Sequence, residues 1–325
     1  MRRFASAVAL VTVVASPAAA ISGLCGAASN AAHGPRVAVL SAFPAELAPL
    51  VAAANVTEHV QVDGRTYDLG ELEGVRVVLG LTGIGTVNAA DRTTSVIRHF
   101  HPTAIVMSAV AGSRYRIGDV VVPAEWLEES TGRVFPVNVA LRALVRQAAP
   151  TLPGPFQTCT PVPPTSPDGM IVCLPYEPAV VFGQRGQTED PFNGKPFACT
   201  PGGGEIFGCE LPMVRPEQVV TTAESEDMET AAVARVTTER HVPFVANRAV
   251  SDGAGDPLGD RGFPAQFLDY YRLSAANAAL VTRAFLGYVH ALAADRSGRA
   301  TCRLLAAHRW KRVAARLDGA SPTTR

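Results

Sequence analysis

Four short runs constrain this chain most. RVAVLSAF (36–43), VRVVLGLTGIG (75–85), TAIVMSAVAG (103–112) and VPFVANRAV (242–250) carry few polar interruptions. A strand with one wet face alternates apolar and polar residues, whereas a nearly unbroken apolar strand belongs to a sheet covered on both faces. Helical patterns lie between and after these runs. They are PAELAPLVAAAN (44–55), with Pro near its start, the amphipathic TVNAADRTTSVIRHF (86–100), NVALRALVRQAA (138–149), a helix from about 226 to 239, and a long helix over 264–295. IGDVVVPAEW (117–126) is strand-like. The alternation predicts an α/β fold whose central sheet, parallel or mixed, is flanked by helices. Ligands of such sheets bind beyond the carboxyl ends of the strands. That rule points to Phe43–Glu46, Met107–Gly112 and Ser251–Asp252.

From 150 to about 218 the texture changes. This stretch holds more than half of the 25 prolines and four of the six cysteines, and reads as an insertion built around one strand, PAVVFGQRG (178–186). At the N-terminus Arg2 and Arg3 precede the apolar FASAVALVTVVA and the small-residue SPAAA. This is the pattern of a secretory signal over 1–20, with cleavage expected after Ala20. The run is too short to span a bilayer, and Leu24 before Cys25 is not the small residue a lipoprotein signal wants. A linker over 21–34, one domain over 35–295 with the insertion, and a basic tail over 296–325 complete the expected organisation. Export to an oxidising compartment makes the cysteines disulfides. Six allow 15 connectivities. Short loops favour Cys159–Cys173 and Cys199–Cys209, leaving Cys25 with Cys302. The cysteines form no C-x-x-C pair with histidine partners, so zinc is not expected. With a formal net charge of zero, neither nucleic acid nor an anionic membrane is an expected partner.

Four residues near the predicted strand ends can carry chemistry. Glu46 follows the first strand, Glu229 enters a helix of small residues, Arg248 lies inside an apolar strand, and Asp252 ends that strand. Each has a plain structural reading: a dipole-complementing Glu, an acid satisfied by backbone donors, a buried ion pair, a cap. Together they converge on one end of one sheet. Paired carboxylates suit glycosidic cleavage, one polarising water and the other protonating the leaving group. A third can grip sugar hydroxyls.

At these residues the sequence resembles the purine nucleoside phosphorylase and nucleosidase superfamily, nearest its methylthioadenosine/S-adenosylhomocysteine nucleosidase branch. VAVLSAFPAEL (37–47), LTGIGTVNAA (81–90), AIVMSAVAGSRYRIGDVVVPAE (104–125), DMETAAVARV (227–236) and VPFVANRAVSD (242–252) match that branch's motifs in order. The resemblance covers roughly 36–125 and 226–292. It implies a three-layer nucleoside-phosphorylase-like fold and a hydrolase of purine nucleosides or 5′-modified relatives, with no cofactor and a small-molecule nucleoside as partner. Members commonly form dimers or larger assemblies. By the same resemblance Glu46 activates water, Asp252 protonates the purine, Glu229 binds the ribose hydroxyls with Met228 against the sugar, and Arg248 and Ser251 organise the water and the acid. Asp252 is expected to carry the raised pKa of the two acids, and Arg248 to face Glu46 and the water. The family's Gly-Ser-Ala-Gly turn reads AVAG (109–112) here, so Val110 replaces a polar residue for which Ser108 is the candidate substitute. For the base-stacking aromatic, Phe192 follows a strand and Phe207 has the better spacing to Glu229; both stand as candidates. Two alternatives stay open: a phosphorylase, and a non-catalytic binding or storage protein of the same fold.

Overall fold

The computed structural model describes residues 36–164, 168–197 and 220–294. The expected signal, linker and tail, as well as Cys25, Cys199, Phe207, Cys209 and Cys302, lie outside the described residues.

The centre of the sheet is three parallel strands, β1 (Val37–Ser41) between β4 (Val75–Leu81) and β5 (Ala104–Arg116). The long β14 (Phe244–Ala254) runs parallel to β5 on the other side. β1 shows why both faces must be covered: Val37 and Val39 enter one apolar cluster, Ala38 and Leu40 the other. On the first face sit α1 (Pro44–Ala53), α3 (Val139–Ala148) and most of α5 (Ala265–Ala294). On the second sit α2 (Thr86–Phe100) and α4 (Thr230–Glu239). Asn138 caps α3 by accepting from the amides of Ala140 and Leu141. The result is the expected three-layer α/β architecture with a mixed sheet.

Several elements differ from the sequence reading. Residues 55–72 form an antiparallel hairpin, β2 (Asn55–Val62) and β3 (Arg65–Leu72), which extends the sheet past β4. The strand-like run 117–126 breaks into β6 (Val120–Val121) and β7 (Glu125–Glu128), and β7 pairs with β8 (Arg133–Pro136). Within 150–218, β9 (Cys159–Val162) and β10 (Met170–Cys173) form a separate hairpin closed by the Cys159–Cys173 disulfide. The expected single strand 178–186 is instead two, β11 (Val180–Val181) beside β6 and β12 (Arg185–Thr188) beside β7. The helix expected from 226 starts at Thr230. Glu226–Asp227 is a short strand, β13, held by β12 and by the middle of β5, and this pairing keeps the backbone extended where local sequence favours a helix start.

This arrangement notches the sheet. Beside β5, β1 ends its pairing at Met107, and β13 takes up the same strand only at Gly112. β14 still pairs with residues 108–111 along the other edge, but at the notch the Ser108 carbonyl and the Val110 N–H and carbonyl are met by side chains.

Candidate active site

Two of those side chains, Glu46 and Arg248, are ones singled out above; the third, Ser41, was missed. Ser41 Oγ donates to the Ser108 carbonyl (2.7 Å), Val110 N–H donates to Glu46 Oε1 (2.8 Å), and Arg248 Nη1 donates to the Val110 carbonyl (2.9 Å). Glu46 stands one turn into α1 and reaches back, its Oε2 accepting from the amides of Ala42 (2.6 Å) and Phe43 (3.3 Å). At 1% exposure it is no surface dipole complement. Its carboxylate fills the notch that β1 leaves open.

Glu229 lies at the residue before α4 and is 4% exposed. One of its oxygens accepts from Gly85 N–H (3.0 Å), at the start of α2, and the other from Arg248 Nη2 (3.2 Å). Arg248, 1% exposed, also lies 2.9 Å from Asp227 through Nε and donates to Thr230 Oγ1. Asp227 was not singled out by the sequence reading, yet it is the hub of the cluster. It accepts from Thr188 Oγ1 (2.6 Å), from the amides of Glu229 and Thr230, and from the Thr230 hydroxyl. The signal was an acid two residues before Glu229, hidden because a carboxylate there also suits the first turn of a helix. Arg248 therefore faces Asp227 and Glu229 in a buried ion cluster, and touches Glu46 only through space and through Val110. The expectation that it faces Glu46 and the water is corrected accordingly, because Asp227 and Glu229 offer it direct contacts.

Four residues along β14 from Arg248, Asp252 is 7% exposed. Ser251 Oγ stands 2.8 Å from its Oδ1 and 3.3 Å from the Ala111 carbonyl. Gly112 pairs with it, and a Cβ on Gly112 would stand 2.6 Å from Asp252 Oδ2, so the carboxyl leans over a position only glycine leaves open. Beside it is a cavity of about 260 Å3, lined by Ser113, Thr221, Gly253, Arg261 and Gln266 among others. Met228 is half-buried against the second core cluster. Phe192 lies on Gly85 and on Phe197, with ring centroids 4.9 Å apart, one residue contact from Glu229. Ser108 is on β5, but its hydroxyl is buried without a partner among the described residues. The amide of Val110 holds Glu46, so its apolar side chain costs that contact nothing.

Burial dominates the electrostatics. It pushes Glu46 up to about 8, against the opposing pull of Arg248 and of the Val110 and Ala42 amides. It pushes Glu229 up to about 6, against Arg248 and with help from Asp227. It pushes Asp252 up to about 6, against the Ser251 hydroxyl and with help from Glu226. Both acids are raised, and their order is the reverse of the expected one. Glu46 is the more completely enclosed, and the charge nearest it is already shared with two other carboxylates. Burial opposes the charge of Arg248 as well, but Asp227, Glu229 and Glu46 outweigh it and hold the guanidinium protonated.

The fold and this cluster define a class: an α/β protein with a buried acid–base site where a central parallel sheet is notched. The chain belongs to the phosphorylase superfamily, whose family model matches residues 36–165 and 216–287. It is 34% identical over 197 residues to the uncharacterized protein Rv2293c of Mycobacterium tuberculosis, covering 56% of this chain and 78% of that one. It is 27% identical over 227 residues to the 5′-methylthioadenosine/S-adenosylhomocysteine nucleosidase of Geobacillus kaustophilus, covering 69% of this chain and 87% of the relative. Among solved structures, its fold resembles the nucleosidase of that name from Neisseria meningitidis in complex with methylthio-immucillin-A. The TM-score is 0.54 at 23% identity, covering 78% of this chain and 98% of that one. The native futalosine hydrolase of Helicobacter pylori has the same fold, with a TM-score of 0.54 at 19% identity over 77% of this chain and 97% of that one.

Proposed function

We propose that this protein hydrolyses the N-glycosidic bond of a purine nucleoside or of a 5′-modified relative. The observation that carries the reading is the seat of Glu46. Among the described residues, the hydrogen bonds to its carboxylate all come from backbone N–H groups, which fix an acceptor in a closed pocket. Its raised pKa makes it a strong base once ionised.

Glu46 takes a proton from water as the water oxygen bonds to the anomeric carbon. The C–N bond breaks with its electron pair leaving on the purine, and Asp252 gives that purine a proton. Glu229, oriented by Gly85 and Arg248, keeps lone pairs free to accept from two ribose hydroxyls. Met228 packs against the sugar and Phe192 against the base. Ser251 orients Asp252.

Water is favoured over phosphate as the nucleophile. Arg248, the cation at this cluster, is already engaged by Asp227 and Glu229, and Glu46 in the ionised form that attack requires repels an anion at the attacking position. The relatives named as nucleosidases support this chemistry, and the Cys159–Cys173 bridge supports export of the chain. A panel of purine nucleosides and 5′-thio analogues, assayed for free base with and without phosphate, tests the reading. Base and free ribose should appear at a rate phosphate does not change. Accumulation of ribose 1-phosphate would replace the hydrolase by a phosphorylase, and a panel with no turnover would leave a binding protein.

A further inference from the structure

Glu226 has no part in the chemistry above, yet its position beside Asp252 is specific. On β13 it pairs with Gly112, and on the other edge of the same strand Gly112 pairs with Asp252. Paired residues of neighbouring strands carry their side chains on one face. Glu226 and Asp252 therefore flank a glycine, and Asp252 Oδ2 leans into the space that glycine leaves. Thr221 lies over the same glycine, lines the cavity beside Asp252 and hydrogen-bonds to Glu226.

The surroundings of Glu226 keep it ionised. Gln187 Nε2 stands 3.0 Å from its Oε1. Glu189, next on β12's exit, hydrogen-bonds to it and takes up the proton of the pair, with Glu129 as a third acid close by. Burial works against the charge on Glu226, but the hydrogen bonds from Glu189, Thr221 and Gln187 outweigh it. Among the described residues, the other charged groups lining the cavity beside Asp252 are Asp260 and Arg261, from the loop before α5. Gln266 from α5 is neutral and is occupied by the Gly253 amide and the Asp260 carbonyl.

We propose that Glu226 is a positioning residue for the reaction: its fixed negative charge, facing Asp252 across Gly112, keeps on Asp252 the proton that the departing purine takes. The proposal rests on the assignment of Asp252 as the acid. It adds a second pair of carboxylates behind the first, in which Glu189 holds a proton so that Glu226 can remain charged.

The test is Glu226→Gln, with Glu226→Asp as the variant that keeps the charge. The titration of Asp252 is followed by carboxyl 13C NMR in the unliganded protein, with Asp252→Asn to assign its signal. The midpoint should fall by about one pH unit in Glu226→Gln, the scale on which neighbouring carboxylates move one another, and return in Glu226→Asp. Base release at neutral pH should fall about tenfold in Glu226→Gln, since one unit is tenfold in the protonated fraction, and the deficit should vanish as pH drops toward about 4. An unchanged Asp252 midpoint overturns the proposal, as does a deficit that is the same at every pH, which is what a purely structural role gives. Should the midpoint fall while the wild-type protein cleaves no nucleoside, the coupling stands and the hydrolase reading fails.

Discussion

Replacing Glu46 by Gln should change how stability depends on pH, because the folded protein binds the Glu46 proton more tightly than the unfolded chain does. The pKa is raised from 4.5 to about 8 by burial. For a group shifted in this direction, the stabilising contribution is complete below about pH 4.5 and is lost as pH rises through about 8. At 1.36 kcal/mol per unit the full gap is about 5 kcal/mol, of which about 3 kcal/mol disappears between pH 5 and 8. Glutamine does not titrate. It also leaves one of the Ala42, Phe43 and Val110 amides facing an NH2 group, a fixed penalty on the order of 1–3 kcal/mol that pH does not alter. The informative quantity is therefore the difference between variant and wild type, measured by urea unfolding from about pH 5 to 8. That difference should move in favour of Glu46→Gln by about 3 kcal/mol across the range. Parallel stability curves would refute the raised pKa. Such curves would mean that the three amides hold the carboxylate ionised in the resting protein across the whole range.

Three further outcomes are expected. Arg248→Met should destabilise the protein by about 3–5 kcal/mol at neutral pH, because it strands Asp227 and Glu229 without their cation, and the deficit should shrink as acid protonates Glu229; calorimetry at several pH values checks this. Glu229→Gln should lower kcat/KM for ribosides by about 10- to 100-fold and for 2′-deoxynucleosides by less, since a charge-assisted contact contributes roughly 1.5–3 kcal/mol; equal losses would make Glu229 structural. Cys159→Ser with Cys173→Ser should cost on the order of 2–4 kcal/mol. Hydrogen exchange should show the loss concentrated in the β9–β10 hairpin, with the central strands still protected.

The strands that the sequence revealed best are those buried on both faces. For β1, β4, β5 and β14, local composition and tertiary environment say the same thing. The β2–β3 hairpin escaped because β2 is a polar, largely exposed edge strand whose alternation is weak. Its turn was nonetheless written in the chain: Asp63 and Gly64 both adopt positive φ, as a two-residue hairpin loop demands. Glu226–Asp227 misled for the opposite reason. Acids before a run of small residues do favour a helix start, and pairing to strands far away in sequence overrides that preference. In the candidate site, Glu46, Glu229 and Asp252 were singled out from their places at strand and helix ends, and Arg248 as a charge inside an apolar strand. Asp227 was not, because its importance comes from Thr188 and Arg248, which only the fold brings to it. The order of the two raised pKa values was equally hidden, since it is set by how completely the fold buries Glu46, against the pull of the Val110 amide.

The notch in the sheet beside β5 has a consequence for how this chain can change. On the edge that β1 leaves, where a neighbouring strand would supply repetitive backbone partners, the Ser108 carbonyl and the Val110 peptide groups rely on Ser41, Glu46 and Arg248. The acceptor for the Val110 amide and the donor for its carbonyl are therefore the side chains assigned to the reaction. A descendant relieved of catalysis could not let Glu46 drift to an arbitrary residue, as an idle surface acid can, because a main-chain amide in the middle of the sheet would lose its partner. Chemistry and architecture are soldered together at one residue's peptide groups, and discarding the first requires rebuilding the second.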